Sequence, residues 1–402
     1  MSFLSAVFAR ALASRNYRLY FAGQLVSLAG TWMQQIAMIW LAYRLTNSAA
    51  VLGMVGFASQ IPILLLGPFA GVLTDRFDRR RILLATQFLS MLQAVLLAWL
   101  TWSGRISPEW LIGLALIHGS INALDLPARQ AFSVQLVDRR EDLPNAIALN
   151  SLLMNSARFV GPALAGFAVA TIGEAWCFAI NAASYLAVIV ALLAIDARAN
   201  VHHGTPAWRA FRDGVAYILA HRDIRPRLRM VAAVSFLVTP YAVLMPLFAS
   251  EIFGGDARTY GLLIASAGSG SLLAGLYLAS RKDTGRLPRR VAAGVLVAGV
   301  ALTAFAVNHS LALAFPIVMV LGFSVITVIA GSNTLIQVQV EDVYRGRVMA
   351  IFSMAFLGIA PLGAFTVGHV AHLVGVQPAL FACGIGTLFV GLAARRRIMR
   401  MG

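Results

Sequence analysis

The chain has 402 residues and a net charge of +16, and it is 59% hydrophobic but only 12% charged. Soluble domains carry about 25% charged residues, so this composition excludes a soluble globular protein and indicates an integral membrane protein. In a soluble protein such a positive charge would suggest a nucleic-acid partner. Here the basic residues lie between apolar runs, and we expect no nucleic-acid partner.

Twelve apolar segments follow one another along the chain. A bilayer core needs about 20 apolar residues per helix. Segments of that kind cover roughly 19–44, 49–74, 82–102, 109–126, 144–171, 175–195, 228–250, 259–280, 290–307, 310–333, 346–373 and 377–395. The sequence therefore predicts an all-α integral membrane protein with twelve transmembrane helices. We expect a six-helix bundle over 1–195, a cytoplasmic linker over 196–227 and a second six-helix bundle over 228–402.

The predicted linker contains an amphipathic pattern. Its apolar residues Trp208, Phe211, Val215 and Ile218 recur at helical spacing. This pattern predicts a helix that lies on the membrane surface or acts as a strap between the two halves.

Basic residues set the predicted orientation. Cytoplasmic loops are enriched in Lys and Arg, and 28 of the 32 fall at the termini or in alternate loops. Only Arg44, Arg105 and Arg258 fall on the other side, and Arg158 lies within a span. We therefore expect a multi-pass membrane protein with both termini cytoplasmic, attracted to anionic lipids.

The stretch between the second and third spans, residues 67–83, reads GPFAGVLTDRFDRRRIL. It resembles the signature that major facilitator superfamily transporters carry between these two helices, although Asp78 stands where the family usually has glycine. The resemblance implies a fold of two six-helix pseudo-repeats with a substrate site near the midplane between them. It also implies gating roles for this stretch, carried by Gly71, Asp75, Arg76, Arg79 and Arg80.

Further stretches resemble one branch of this superfamily. Gly161-Pro162, with Gly166 shortly after, resembles the signature of the antiporters, which implies export. Trp32-Met33-Gln34-Gln35, and the run from Asp125 to Phe132, resemble the branch that contains enterobactin exporters and macrolide exporters. We include Gly161, Pro162, Asp125 and Arg129 among the expected gating residues.

Polar side chains recur at helical spacing within three spans. Such side chains either line a substrate cavity or form hydrogen bonds between packed helices, and the sequence favours neither. The candidate substrate-binding residues are Gln24, Thr31, Gln34, His118, Asn122, Asn155 and Arg158.

Arg158 is the strongest of these candidates. A charge deep in a span is costly and usually faces a cavity or a partner. Asp125 is expected to lie near the cytoplasmic edge of its span and to pair with Arg129 or with the arginine loop after Asp75. Apart from Asp125, no acidic residue is expected in the interior of a span. The first span also lacks the acidic residue that many drug–proton antiporters carry, which argues against simple proton coupling through a carboxylate.

The resemblance to this branch implies a secondary transporter of the bacterial inner membrane that exports a small amphiphilic, siderophore-like molecule by alternating access. We expect it to be a monomer. The alternatives are macrolide or multidrug efflux by proton antiport, lysophospholipid transport and, from another class, a non-transporting membrane sensor. The sequence contains no nucleotide loop, metal cluster or nucleophile–base pattern. We expect no enzymatic activity, cofactor or metal; protons are the candidate coupling ion.

Overall fold

The computed structural model describes residues 10–137, 139–195, 207–221, 223–281 and 285–399, and thirteen long helices account for most of them. All except α7 are long and apolar enough to cross a membrane, which confirms the prediction of twelve spans. The helices are α1 (Arg15–Thr46), α2 (Ala49–Arg76), α3 (Arg79–Trp102), α4 (Pro108–Gln135), α5 (Leu143–Ile172), α6 (Glu174–Ala194), α7 (Ala207–Ala220), α8 (Ile224–Ile252), α9 (Ala257–Ala279), α10 (Leu287–Val307), α11 (Leu311–Gln339), α12 (Asp342–Val374) and α13 (Val376–Met399).

The largest difference from the predicted boundaries is in α4. This helix was expected to end at residue 126 but continues to Gln135, with Pro127 inside it. A hydropathy criterion ends a span where charged residues begin, whereas the helix continues because its backbone hydrogen bonds persist beyond that point. Asp125 consequently lies ten residues before the helix end. Its position near the cytoplasmic edge of the membrane stays a prediction.

Short turns join several consecutive spans. Asp78 begins α3 as its N-cap, since its carboxylate accepts a hydrogen bond of 2.9 Å from the backbone N–H of Arg80. This capping gives the residue that departs from the family pattern a local role. Gly173 and Gly375 make single-residue turns between spans five and six and between spans eleven and twelve, with φ of 81° and 94°. The same turn thus recurs about 200 residues later, as expected for two six-helix repeats.

The outer surface is apolar. Large hydrophobic side chains such as Leu193, Leu313 and Phe389 are 58–68% exposed. Exposed apolar area on this scale suits contact with lipid chains rather than water.

Helix α7 lies within the predicted linker and packs against the start of α12. Its Asp213 carboxylate lies 3.4 Å from the guanidinium of Arg347, and the Tyr217 ring stacks on Tyr344 at 4.5 Å between centroids. Ile218 is buried in the same contact. Because α7 also touches α2, it contacts helices of both the first six spans and the last six.

Candidate functional site

The turn between α2 and α3 ties three helices together at the arginine-rich end of the protein. The Arg80 guanidinium donates hydrogen bonds to the carbonyls of Leu192 and Leu193, at 2.7 and 3.0 Å. These carbonyls belong to the last turn of α6, where a cation satisfies groups without helical partners and opposes the negative end of the helix dipole. Arg76 is exposed and Arg79 is half-buried. Gly71 lies in α2, and the side chain of Asp75 lies outside the described part.

A buried ion pair occupies the interior of the first six spans. Asp125 is 2% exposed, and its Oδ2 accepts a hydrogen bond of 2.9 Å from Nε of Arg129, one turn later on α4. Its Oδ1 accepts from Thr86 and Gln87 of α3, both at 2.8 Å. Of the two partners that the sequence offered Asp125, the structure has Arg129. This carboxylate is thus held within the bundle by hydrogen bonds from three side chains.

A second buried polar network surrounds Gln34. Its amide nitrogen donates to Gln93 at 2.9 Å, and its amide oxygen accepts from Asn181 at 2.7 Å. Gln93 also donates to the carbonyl of Leu114 at 3.2 Å, so the network joins α1, α3, α4 and α6. Gln34 is 2% exposed. Both of its polar groups are therefore engaged within the first six spans.

The other candidate residues divide by what they contact. His118 and Asn122 approach each other at 3.1 Å between Nε2 and Nδ2, and both are half-buried on α4. Thr31 donates to the carbonyl of Ser27 one turn earlier, at 2.8 Å, and Gln24 is buried. The side chains of Asn155 and Arg158 lie outside the described part. The structure thus brings His118 and Asn122 together.

The predicted site residues do not include the polar residues of α3 and α6 that take part in these networks. Thr86, Gln87, Ser90 and Gln93 are all buried on one helix. Their spacing of three or four residues inside an apolar run is the signal that could have revealed them.

Helix α5 packs closely on two neighbours through its glycines. A Cβ atom at Gly161 would lie 2.7 Å from the Trp32 ring of α1, so only glycine fits beneath that indole. One turn later, a Cβ atom at Gly166 would lie 2.7 Å from the Cα of Gly261 on α9. The carbonyl of Pro162 lies against Gly261 as well. The predicted glycine–proline motif therefore forms contacts both within the first six spans and across to the last six.

These cross-contacts belong to a wider seam. A Cβ atom at Gly53 of α2 would lie 3.0 Å from the Cα of Gly368 on α12, and one at Gly368 would lie 2.8 Å from the Cα of Gly53. Aromatic pairs add to the seam, with Trp40 on Tyr260 at 6.1 Å and Phe57 on Phe365 at 5.2 Å between ring centroids. We call this set of contacts the glycine seam. The glycine seam lies next to the turns near residues 47, 173, 254 and 375, and we call this end of the protein the seam end. The opposite end of the protein carries most of the arginines, and we call it the basic end.

Comparisons with known proteins agree on the class of protein. A family model described as transmembrane secretion effector matches residues 6–401. The Staphyloferrin A transporter of Staphylococcus aureus is 26% identical, over 92% of this chain and 93% of its own. Macrolide efflux protein A of Streptococcus pyogenes is 25% identical, over 94% and 95%.

Among solved structures, a bacterial homolog of the human lysosomal transporter Spinster, in an inward-facing and occupied conformation, has a TM-score of 0.74. It is 16% identical and covers 95% of this chain and 97% of that chain. This likeness confirms the fold predicted from the stretch at residues 67–83. With a family match that spans nearly the whole sequence, the chain belongs to the transmembrane secretion effector family of the major facilitator superfamily.

Proposed function

We propose that this chain exports a small amphiphilic, siderophore-like molecule across the bacterial inner membrane by alternating access, as a monomer. Membership of a secretion family of efflux transporters supports the direction of transport. The relative described as a Staphyloferrin A transporter supports the substrate class. The catalytic chemistry of an enzyme has no role in this proposal, since the family and these relatives are transporters.

The glycine seam is the observation that carries alternating access. It joins the first six spans to the last six near the seam end, where glycine backbones touch without intervening side chains. Close packing of this kind holds membrane helices together through van der Waals contacts. The helices can separate without breaking a covalent bond or an ion pair. The division into bundles at 1–195 and 228–402, with α7 between them, suits such a rocking motion.

The basic residues support an orientation for this state. With the basic end in the cytoplasm, the seam end faces the periplasm. The conformation described here then closes the path on the periplasmic side and is the state that would load substrate from the cytoplasm. In this scheme the arginine loop, with Asp75, Arg76, Arg79 and Arg80, acts at the cytoplasmic side as the gate of the opposite state.

Arg158 is the proposed anchor for an anionic group of the substrate. It precedes Gly166 by eight residues, so its backbone lies about 12 Å along α5 from the glycine seam, toward the basic end. A guanidinium in a low-dielectric cavity binds carboxylate or catecholate oxygens through its planar fork. Asp125, its alternative partner, already accepts hydrogen bonds from Arg129, Thr86 and Gln87, which favours the substrate role.

The remaining candidates serve different proposed roles. Gln24, Thr31, His118, Asn122 and Asn155 stay substrate contacts in this proposal. For Gln34 we favour a role in helix packing, because both of its polar groups bond inside the bundle.

Substitution of Arg158 tests the anchor. Arg158→Lys keeps the charge but loses the fork, so it should weaken binding of an anionic siderophore such as staphyloferrin A. Arg158→Gln should weaken it further, by about 2–5 kcal/mol, while sparing a neutral macrolide. Binding is measured by calorimetry on monodisperse protein, with Arg105→Gln, an exposed loop residue, as the charge-matched control. Unchanged affinity for the anion in well-folded Arg158→Gln protein would contradict the proposed role of Arg158 in substrate binding.

Macrolide or multidrug efflux by proton antiport is the second candidate, supported by the macrolide efflux relative. Lysophospholipid transport and a non-transporting sensor are weaker alternatives. Uptake into proteoliposomes of a siderophore, a macrolide and a lysophospholipid, with and without a pH gradient, separates all of these. Transport of the siderophore is the expected result, and transport of none would favour the sensor.

A further inference from the structure

A groove outside the glycine seam opens at the basic end of the last six spans. It lies between the first turns of α8 and α10 and the last turns of α11 and α13, and has a volume of about 680 Å³. Ligand pockets for small organic molecules fall in the range of about 300–1,000 Å³. This groove, which we call the basic-end groove, is therefore large enough to hold a ligand segment.

The walls and the mouth of the groove differ in character. Apolar side chains of four helices form the walls, among them Met230, Val291, Leu335 and Val390. The mouth carries Arg227, Arg229 and Arg289, together with the carboxylate of Asp223. Arg227 hydrogen-bonds the amide oxygen of Gln339, whereas Arg229 and Arg289 are exposed. An apolar slot below a positively charged mouth matches an acyl chain below an anionic phosphate.

The corresponding place in the first six spans is filled. By order along the chain, the counterparts of α8, α10, α11 and α13 are α1, α3, α4 and α6. At the same end of these helices, Tyr17, Tyr20 and Phe132 are at most 2% exposed and pack together with Leu136 and Leu192. The Tyr17 hydroxyl donates a hydrogen bond of 2.9 Å to the carbonyl of Ala146, which holds this aromatic cluster in place.

In the last six spans, small side chains leave the corresponding place open. Ala233, Ala292, Ala393 and Ala394 line the groove where the first half has aromatic rings. Unfilled apolar volume forfeits dispersion contacts on its lining atoms, so an apolar occupant would stabilise the fold. The groove lies at the level where helix ends meet the headgroups, and anionic lipids attract basic residues at that level.

We propose that the basic-end groove binds one anionic phospholipid, with an acyl chain between α8, α10, α11 and α13 and the phosphate at Arg229 and Arg289. This site is separate from the proposed substrate path, because its walls belong to the last six spans alone. It does not depend on which molecule the protein exports.

Native mass spectrometry of the full chain in detergent tests the proposal. Phosphatidylglycerol and phosphatidylcholine with identical acyl chains are titrated, and the fraction of protein that retains one lipid is measured. Wild-type protein should hold phosphatidylglycerol about tenfold more tightly, since each basic residue near an anionic surface contributes on the order of a few-fold in affinity. Arg229→Gln/Arg289→Gln should remove most of that preference.

A second variant tests the slot without changing charge. Ala393→Phe places a ring in the groove and should lower retention of both lipids. Its control is Ala382→Phe, an exposed alanine of α13 that does not line the groove. The charge control is Arg81→Gln/Arg281→Gln, which removes two exposed arginines outside the groove. Both controls should retain lipid as the wild type does.

Three results would overturn the proposal. Unchanged retention in Ala393→Phe would show that no chain enters the groove. An equal loss of the preference for phosphatidylglycerol in the charge control would show that this preference comes from general attraction to a positively charged surface. Displacement of phosphatidylglycerol by millimolar inorganic phosphate would indicate a site for a free anion.

Discussion

At the scale of single residues, the Asp125–Arg129 pair is the most consequential feature of the first six spans. Asp125 is 2% exposed and bonds to side chains of α3 and α4. A buried pair contributes little net stability compared with apolar packing, but loss of one partner leaves a stranded charge. The pair therefore fixes how α3 and α4 pack while it remains intact.

Substitution of either partner should destabilise the protein. Asp125→Asn leaves the Arg129 guanidinium without its carboxylate and should cost about 3–5 kcal/mol of unfolding free energy. The double variant Asp125→Asn/Arg129→Gln should lose less than the sum of the single losses. Thermal unfolding in detergent measures all three variants.

The control for this pair lies on the same helix. Glu109 is exposed near the start of α4, so Glu109→Gln should leave the melting temperature nearly unchanged. Strictly additive losses in the double variant would contradict coupling between Asp125 and Arg129.

At the scale of elements, the crossing of α5 and α9 controls the glycine seam. A Cβ atom at Gly261 would lie 2.5 Å from the Pro162 carbonyl oxygen and 2.7 Å from the Gly166 Cα. Gly261→Val should therefore separate the helices and disfavour the state closed at the seam end, by about 1–3 kcal/mol. Spin labels at Arg105 and His309, one in each half, should report a shift to longer distances.

The same helix supplies a matched control. Gly275 of α9 has open space where a Cβ atom would stand, so Gly275→Val should leave the distances unchanged. An equal shift in both variants would mean that valine disturbs α9 itself rather than the seam.

At the scale of the whole molecule, the orientation in the membrane is the prediction to test. Arg81 suits labelling better than Arg80, because its side chain is 88% exposed whereas Arg80 hydrogen-bonds to α6. Single cysteines at Arg81 and Arg286, in protein lacking the buried Cys177 and Cys383, should react only with reagent inside the cell. A cysteine at Arg105 should react from outside. Labelling of Arg81→Cys from outside in intact cells would reverse the proposed topology.

The sequence by itself determined the class, the number of spans and the family. Apolar length and the arrangement of arginines are properties of contiguous segments, and a bilayer permits few structures for such segments. For the same reason the charged motif at residues 67–83 predicts its own position between α2 and α3.

Only the tertiary structure decided which polar and small residues meet. Gln34 bonds to Gln93 and Asn181, residues 59 and 147 positions away, and no local pattern specifies those partners. Gly166 faces Gly261 and Gly53 faces Gly368 because helices from opposite halves cross there. The burial of Asp125 likewise depends on the side chains that α3 presents to it. Contacts between distant segments arise from packing in three dimensions, whereas periodicity reports only what one helix does.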